Sequence, residues 1–138
     1  MKVSKQKIKL LSYFNIIVGS IFLVFTILSF AVLDILYASV QIVLVSDAYF
    51  SLFLTSFLGA VLAFSGFIIT ESKMERNCTI IGWLGIIFGG IFIITSIIPI
   101  FTAAVITYTY TTLIVSLVWG SIGYLITVLN GYCLRKLL

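Results

Sequence analysis

This chain has 138 residues, of which 62% are hydrophobic and only 9% are charged, and its mean hydropathy is +1.32. A water-soluble domain of this length cannot bury so much apolar surface, so the composition excludes that class and predicts a chain dissolved in lipid. The net charge of +4 comes from a few cations that flank apolar stretches, so it predicts membrane topology and no nucleic-acid partner.

The eight cations of the chain fall at three places along it. They precede the first apolar stretch, separate the second from the third and follow the fourth: Lys2, Lys5, Lys7, Lys9, Lys73, Arg76, Arg135 and Lys136. The two other connections, near residues 31–49 and 99–111, contain no Lys or Arg. Because short loops rich in Lys and Arg stay cytoplasmic, the pattern predicts a multi-pass protein of the cell membrane with both termini inside.

Four apolar stretches are long enough to cross a bilayer as helices, which needs about 20 residues each. We expect the spans at about 10–33, 48–70, 78–98 and 112–134, within one membrane domain over residues 1–138. The third span is expected to stop at Pro99, the only proline of the chain. Since lipid offers the backbone no other hydrogen-bond partner, the predicted fold class is an all-α, polytopic four-helix transmembrane bundle.

The two outer connections are apolar and rich in β-branched residues. Residues 37–44 alternate in side-chain character, and residues 106–111 alternate Thr with larger side chains. A period of two and β-branched residues favour an extended chain, so the sequence predicts short extended outer loops. An interfacial helix in the first connection is the alternative.

The chain carries a hint of internal duplication. Residues 13–30 placed over residues 83–100 give six identities in eighteen positions, including Gly19 with Gly89. The second and fourth spans align more weakly, with Ser51 over Ser116 and Gly66 over Gly131. This pattern suggests two helical hairpins with the same orientation, which is the parallel type of membrane repeat.

All ten glycines of the chain lie inside the four spans, where glycine serves close helix approach rather than turns. They form small-residue faces at helical spacing on three spans: Gly82, Gly85 and Gly89; Ser116, Gly120 and Gly123; and Ser56, Gly59 and Ala63. Two interpretations stay open. These faces either meet each other within one bundle, or they bind a second copy or another membrane subunit.

The residue types that most catalysis and metal binding require are scarce. The chain has no histidine, two cysteines without a CxxC spacing, and four acids. We therefore expect no catalytic residue, no metal site and no cofactor, and predict that the protein is not an enzyme.

Two polar residues and one acid are the remaining candidates for a functional role. Asn15 and Asn130 lie within spans and predict either an interhelical clasp or part of a substrate or conduction site. Asp34 lies nearest to a span end among the acids, so it is the candidate for an ion relay.

In size and span number the chain resembles small multidrug transporters, which depend on a glutamate in the first span where this sequence has only Asn15. It is also similar in size to small fluoride channels, which lack such a strong charge bias. The sequence favours a non-catalytic scaffold, accessory or self-assembling subunit, a homo-oligomer or the partner of other membrane subunits. The alternative is a small channel or carrier built from two duplicated hairpins.

The topology can be tested by labelling single introduced cysteines with a membrane-impermeant reagent. We expect reaction from outside at positions near 41 and 105 and none near 74, because the cation-rich connection faces the cytoplasm. Permeabilised cells, in which all three positions become reachable, provide the control. The opposite labelling pattern in intact cells would overturn the predicted orientation.

Overall fold

The computed structural model describes residues 3–40, 45–102 and 109–138. These ranges contain five α-helices and no strand: α1 Lys5–Ala31, α2 Leu33–Val40, α3 Val45–Glu71, α4 Arg76–Thr102 and α5 Tyr110–Lys136. Each of the four long helices has 27 residues and is therefore about 40 Å long. All four are long and apolar enough to cross a membrane, which confirms the predicted all-α, multi-pass architecture.

Two of the long helices, α1 and α5, begin before the predicted spans, and a polar side chain caps the N-terminus of each. The hydroxyl of Ser4 accepts a hydrogen bond from the amide of Lys7, which starts α1 at Lys5. At the start of α5, the hydroxyl of Thr109 accepts a hydrogen bond from the amide of Thr112. Such caps provide acceptors for amides that have no partner within the helix, so the helix can begin in the headgroup region.

The prediction of an extended chain at residues 37–44 is wrong for residues 37–40, which belong to α2. The amide of Leu36 donates to the carbonyl of Val32, whose own amide donates to Leu28, so helical bonding resumes directly after α1. This keeps the backbone polar groups of an apolar segment paired. The expected strand at 106–111 is also wrong from Tyr110 onward, where α5 begins. Residues 41–44 and 103–108 lie outside the described residues.

The predicted stop at Pro99 is wrong as well, because α4 continues to Thr102. A proline inside a helix removes one backbone donor and its ring crowds the carbonyl four residues earlier, and membrane helices tolerate both effects. The hydroxyl of Thr102 donates to the carbonyl of Ile98, which provides that carbonyl with a partner near the helix end.

The long helices pack as two tight pairs. α1 lies mainly against α5, α3 lies mainly against α4, and α5 also contacts both α3 and α4. We call the end where α1 and α4 begin and α3 and α5 finish the basic end, and the other the far end. α1 and α3 make few close contacts, so a groove runs between them.

Glycines allow the backbones of α3 and α4 to touch. A methyl group on Gly89 would lie 2.5 Å from the carbonyl oxygen of Gly59, and one on Gly59 would lie 2.8 Å from that of Gly89. A methyl on Gly82 would lie 3.0 Å from the carbonyl oxygen of Gly66. The small-residue faces of these two helices therefore face each other within the chain.

The two tight helix pairs share a register. Gly19 of α1 faces Val128 of α5. In the alignment of the spans, Gly89 corresponds to Gly19 and Ala63 corresponds to Val128. Gly89 faces Ala63 in the same way. Gly131 likewise faces Ile16, as Gly66 faces Ile86. These parallels agree with the proposed alignment of the spans, while the duplication itself stays a prediction.

A comparison of neighbouring glycines tests the α3–α4 contact. We expect Gly89→Ala to lower the free energy of unfolding by about 1–3 kcal/mol, because the added methyl overlaps Gly59 and Ala63. Gly90→Ala is the matched control, since nothing lies within 4 Å of its added methyl, and it should stay within about 0.5 kcal/mol. Equal unfolding energies for both variants in the same detergent would contradict the contact.

Candidate polar site in the bundle

The interior of the bundle contains a layer of buried polar side chains in the half nearer the basic end. Asn15, Ser65 and Asn130 come from α1, α3 and α5, and each is 0% exposed to solvent. Ser12 of α1 and Thr127 of α5 are buried beside them on the same helices. A polar group inside a membrane bundle normally requires a hydrogen-bond partner, so this layer is the first place to look for function.

Hydrogen bonds across this layer connect α1 to two other helices. The hydroxyl of Ser12 donates to the carbonyl of Gly131 at 2.8 Å, and the Nδ2 of Asn15 donates to the hydroxyl of Ser65 at 2.9 Å. Asn15 Nδ2 also donates to the carbonyl of Leu11 at 2.9 Å. Asn15 therefore links α1 to α3 across a groove that has few other contacts.

Three buried polar atoms in the layer have no hydrogen-bond partner among the described residues: Asn15 Oδ1, Asn130 Nδ2 and Asn130 Oδ1. The Asn130 amide lies against Gly85, which has no side chain to occupy that space. Leaving such a group unpaired costs about 1–3 kcal/mol. The asparagines therefore present two acceptors and one donor suited to water or a small hydrogen-bonding ligand.

Apolar clusters close the polar layer on both sides. Along α3, Ser65 lies between Leu62 and Ile68, and each of these belongs to a different cluster. The cluster toward the far end is Leu62, Phe92 and Ile126. The cluster toward the basic end is Ile68, Ile69, Cys78, Cys133 and Leu134. Both cysteines are free and buried, and they act here as apolar packing residues.

A cleft of about 270 Å³ opens on the far side of the first of these clusters. All four long helices contribute to its lining: Thr26, Thr55, Leu58, Phe92, Ser116, Leu117, Trp119, Gly120 and Tyr124. Aromatic contacts shape its walls, with Tyr124 stacked on Phe22 at 5.1 Å and Trp119 at 5.7 Å from Phe92. The cleft is apolar apart from hydroxyl and indole groups, and it contains no formal charge.

The basic end is held by weak surface interactions. Lys136 and Glu75 form an ion pair at 3.4 Å, and the guanidinium of Arg135 lies 5.9 Å from the centre of the Tyr13 ring. The two partners of the ion pair are 39% and 71% exposed, so solvent screens their attraction. These contacts close the bundle end rather than form a reactive site.

The structure separates the residues that the sequence singled out. Asp34 lies exposed in the first turn of α2, away from both asparagines. Gly85 lies beside Asn130, Gly123 accommodates the ring of Phe92, and the lining of the cleft includes Ser116 and Gly120. The remaining small residues, Ser56, Gly59, Ala63, Gly82 and Gly89, belong to the paired helices α3 and α4.

Sequence reasoning missed Ser12 and Ser65 as partners in the polar layer. Ser12, Asn15 and Gly19 repeat at spacings of three and four, so they share one helix face. All three are buried, and that spacing was the available signal for Ser12.

No known family model, curated protein or solved structure matches this chain.

The two asparagines should differ in their contribution to stability. We expect Asn15→Ala to lower the free energy of unfolding by about 0.6–2 kcal/mol, since it removes the bond to Ser65. Asn130→Ala should lower the free energy of unfolding by a smaller amount, because neither side-chain polar atom of Asn130 has a partner among the described residues. Thr95→Val, which removes an exposed bond within α4, provides the control. A larger loss for Asn130→Ala than for Asn15→Ala would contradict this account.

Proposed function

We propose that this protein is a non-catalytic, multi-pass protein of the cell membrane that acts as a scaffold, accessory or self-assembling subunit, with both termini in the cytoplasm. The observation that carries the proposal is the closure of the polar layer. Leu62, Phe92 and Ile126 cover it on one side and the cluster around Ile69 covers it on the other. A solute pathway needs a continuous polar lining, and this arrangement favours a packed structural core instead.

The chemistry of the side chains supports the same function. Among the described residues, no group of three or more His, Cys, Asp or Glu side chains is close enough together to hold a metal ion. The hydroxyls of Thr26, Ser65 and Thr127 donate to carbonyls of their own helices, and the chain has no histidine to activate them. These hydroxyls therefore have no imidazole base to activate them as nucleophiles.

A row of phenylalanines on α3 supports self-assembly. Five rings recur at spacings of three, four and seven residues and are 47–66% exposed: Phe50, Phe53, Phe57, Phe64 and Phe67. We call this row the phenylalanine seam. Ala60 lies between Phe57 and Phe64 at the position that continues this spacing, and it is also exposed. A repeat of three and four residues is the pattern by which two helices pack along a left-handed seam.

The geometry of the seam suggests how two copies would meet. A small residue at the centre of a helix face allows two backbones to approach closely, while larger residues pack on either side. Ala60 would then lie at the crossing point of two α3 helices, with Phe57 and Phe64 flanking it. The glycine faces of α3 and α4 contact each other within one copy, so they remain outside this interface.

Oxidative cross-linking in native membranes tests self-assembly. With Cys78 and Cys133 replaced by alanine, we expect Ala60→Cys to form a disulfide-linked dimer, because the crossing point brings position 60 next to its copy. Leu125→Cys is the matched control, since Leu125 is 49% exposed on α5 and lies outside the seam. A protein that stays monomeric in lipid discs and shows no link at position 60 would exclude self-assembly.

A small channel or carrier is the second candidate, and the cleft at the far end favours it. This cleft of about 270 Å³ approaches the polar layer, and Phe92 contributes both to its lining and to the cluster that separates the two. A rearrangement of that cluster would join the cleft to the unpaired atoms of Asn15 and Asn130. Ion flux in reconstituted vesicles, compared between the parent, Asn130→Ala and Asp34→Asn, tests this candidate, and no flux through the parent would exclude it.

A further inference from the structure

The groove between α1 and α3 widens into two adjoining cavities at the basic end of the bundle. Their volumes are about 340 Å³ and 260 Å³, and Val3 and Phe64 line both of them. The α1 wall includes Leu11 and Phe14, and the α3 wall includes Phe67 and Ile68. The groove is therefore a largely apolar recess that opens to the side of the bundle.

The groove is less tightly filled than the opposite side of the bundle. Between α4 and α5, the ring of Phe92 occupies the space beside Gly123, and Cys78 packs in one cluster with Cys133. Between α1 and α3, Asn15 donates a hydrogen bond to Ser65, and the rings of Phe14 and Phe57 meet edge to face at 6.5 Å. Nearer the basic end, Val3, Ile8 and Leu11 pack against the cluster that includes Ile68, and the two cavities are the space that these contacts leave.

Charged groups surround the mouth of the groove. Lys7 lines one cavity from the α1 side, and Glu71 lines the other from the α3 side. Lys5 and Lys9 are exposed on α1 two residues to either side of Lys7, so they lie on other faces of the helix, and Lys73 is exposed just beyond α3. The lining therefore contains one charge of each sign. The surplus of positive charge belongs to the basic end as a whole, where seven described cations outnumber two acids, and it complements a negatively charged headgroup attached to a hydrocarbon chain.

We propose that this groove is a binding site for an anionic phospholipid. One acyl chain lies between Phe14 and Phe64, and the phosphate group binds the ammonium of Lys7. The neighbouring lysines add long-range attraction for the negative headgroup, whereas Glu71 opposes it. This site shares Phe64 and Phe67 with the phenylalanine seam, so an acyl chain and a second copy would compete for that part of α3, whereas Lys7 lies on α1 and outside the seam.

The test is lipid retention by the full chain in mixed vesicles of phosphatidylglycerol and phosphatidylcholine, read by native mass spectrometry after mild extraction. The parent should retain phosphatidylglycerol in preference to phosphatidylcholine. Lys7→Gln should reduce that preference about five-fold, because it removes the cation that lines the groove. Lys5→Gln removes the same charge from the same helix without altering the lining, so it should change the preference less than about two-fold.

Glu71→Gln provides a change of opposite sign, because removing the opposing carboxylate should raise the preference for phosphatidylglycerol. Leu11→Trp should reduce retention by filling the groove, and Ile94→Trp on the exposed face of α4 is its control. Two outcomes would overturn the site: equal retention of the two lipids by the parent, or equal losses from Lys7→Gln and Lys5→Gln. In vesicles that also contain phosphatidylethanolamine, a loss of phosphatidylethanolamine retention on Glu71→Gln would show that the groove binds a zwitterionic headgroup. That result would reject the anionic headgroup.

Cross-linking at position 60, measured on the same variants, separates the lipid site from the assembly function. Lys7→Gln should lower the lipid preference without lowering the yield of dimer. If no dimer forms without the Lys7→Gln change but phosphatidylglycerol is still preferred, self-assembly is rejected and the lipid site is retained.

Discussion

The close approach of the α3 and α4 backbones is the contact on which the rest of the bundle depends. Lipid surrounds apolar side chains as well as protein does, so helices in a membrane associate through fit and polar contacts rather than through the hydrophobic effect. Gly59 and Gly89 provide that fit by placing each backbone within reach of the other. This pair then forms the surface on which α5 packs, and α5 in turn holds α1.

Polar contacts have a different role from the glycine contacts. The glycines bring two helices together along most of their length, whereas Asn15 and Ser12 fix one helix at one level in the membrane. A single hydrogen bond between membrane helices contributes little energy, but it selects one register among many apolar alternatives. The side-chain polar atoms of Asn130 have no partner among the described residues, so they bond to no other helix.

The architecture could be predicted from the sequence because apolar length and cation position follow directly from the bilayer. The errors occurred where local patterns competed with the need to pair backbone groups. Alternation at residues 37–40 suggested a strand, yet helical bonding from Leu28 onward extended into α2. Pro99 suggested a helix end, yet losing one donor was not enough to end α4. The partners of Asn15 and Asn130 depend on contacts between distant helices, which no local pattern specifies.

The pairing of α1 with α5 has a consequence for synthesis of the protein. The hydroxyl of Ser12 is bonded to Gly131, which lies 119 residues later in the chain. The first helix to enter the membrane therefore finds its main neighbour only when the last helix arrives. Until then the hydroxyl of Ser12 meets either lipid or the insertion machinery, whereas Asn15 can bond to Ser65 once α3 has entered. The glycine-lined pair α3 and α4 is complete earlier, so it serves as the template on which the two ends of the chain close.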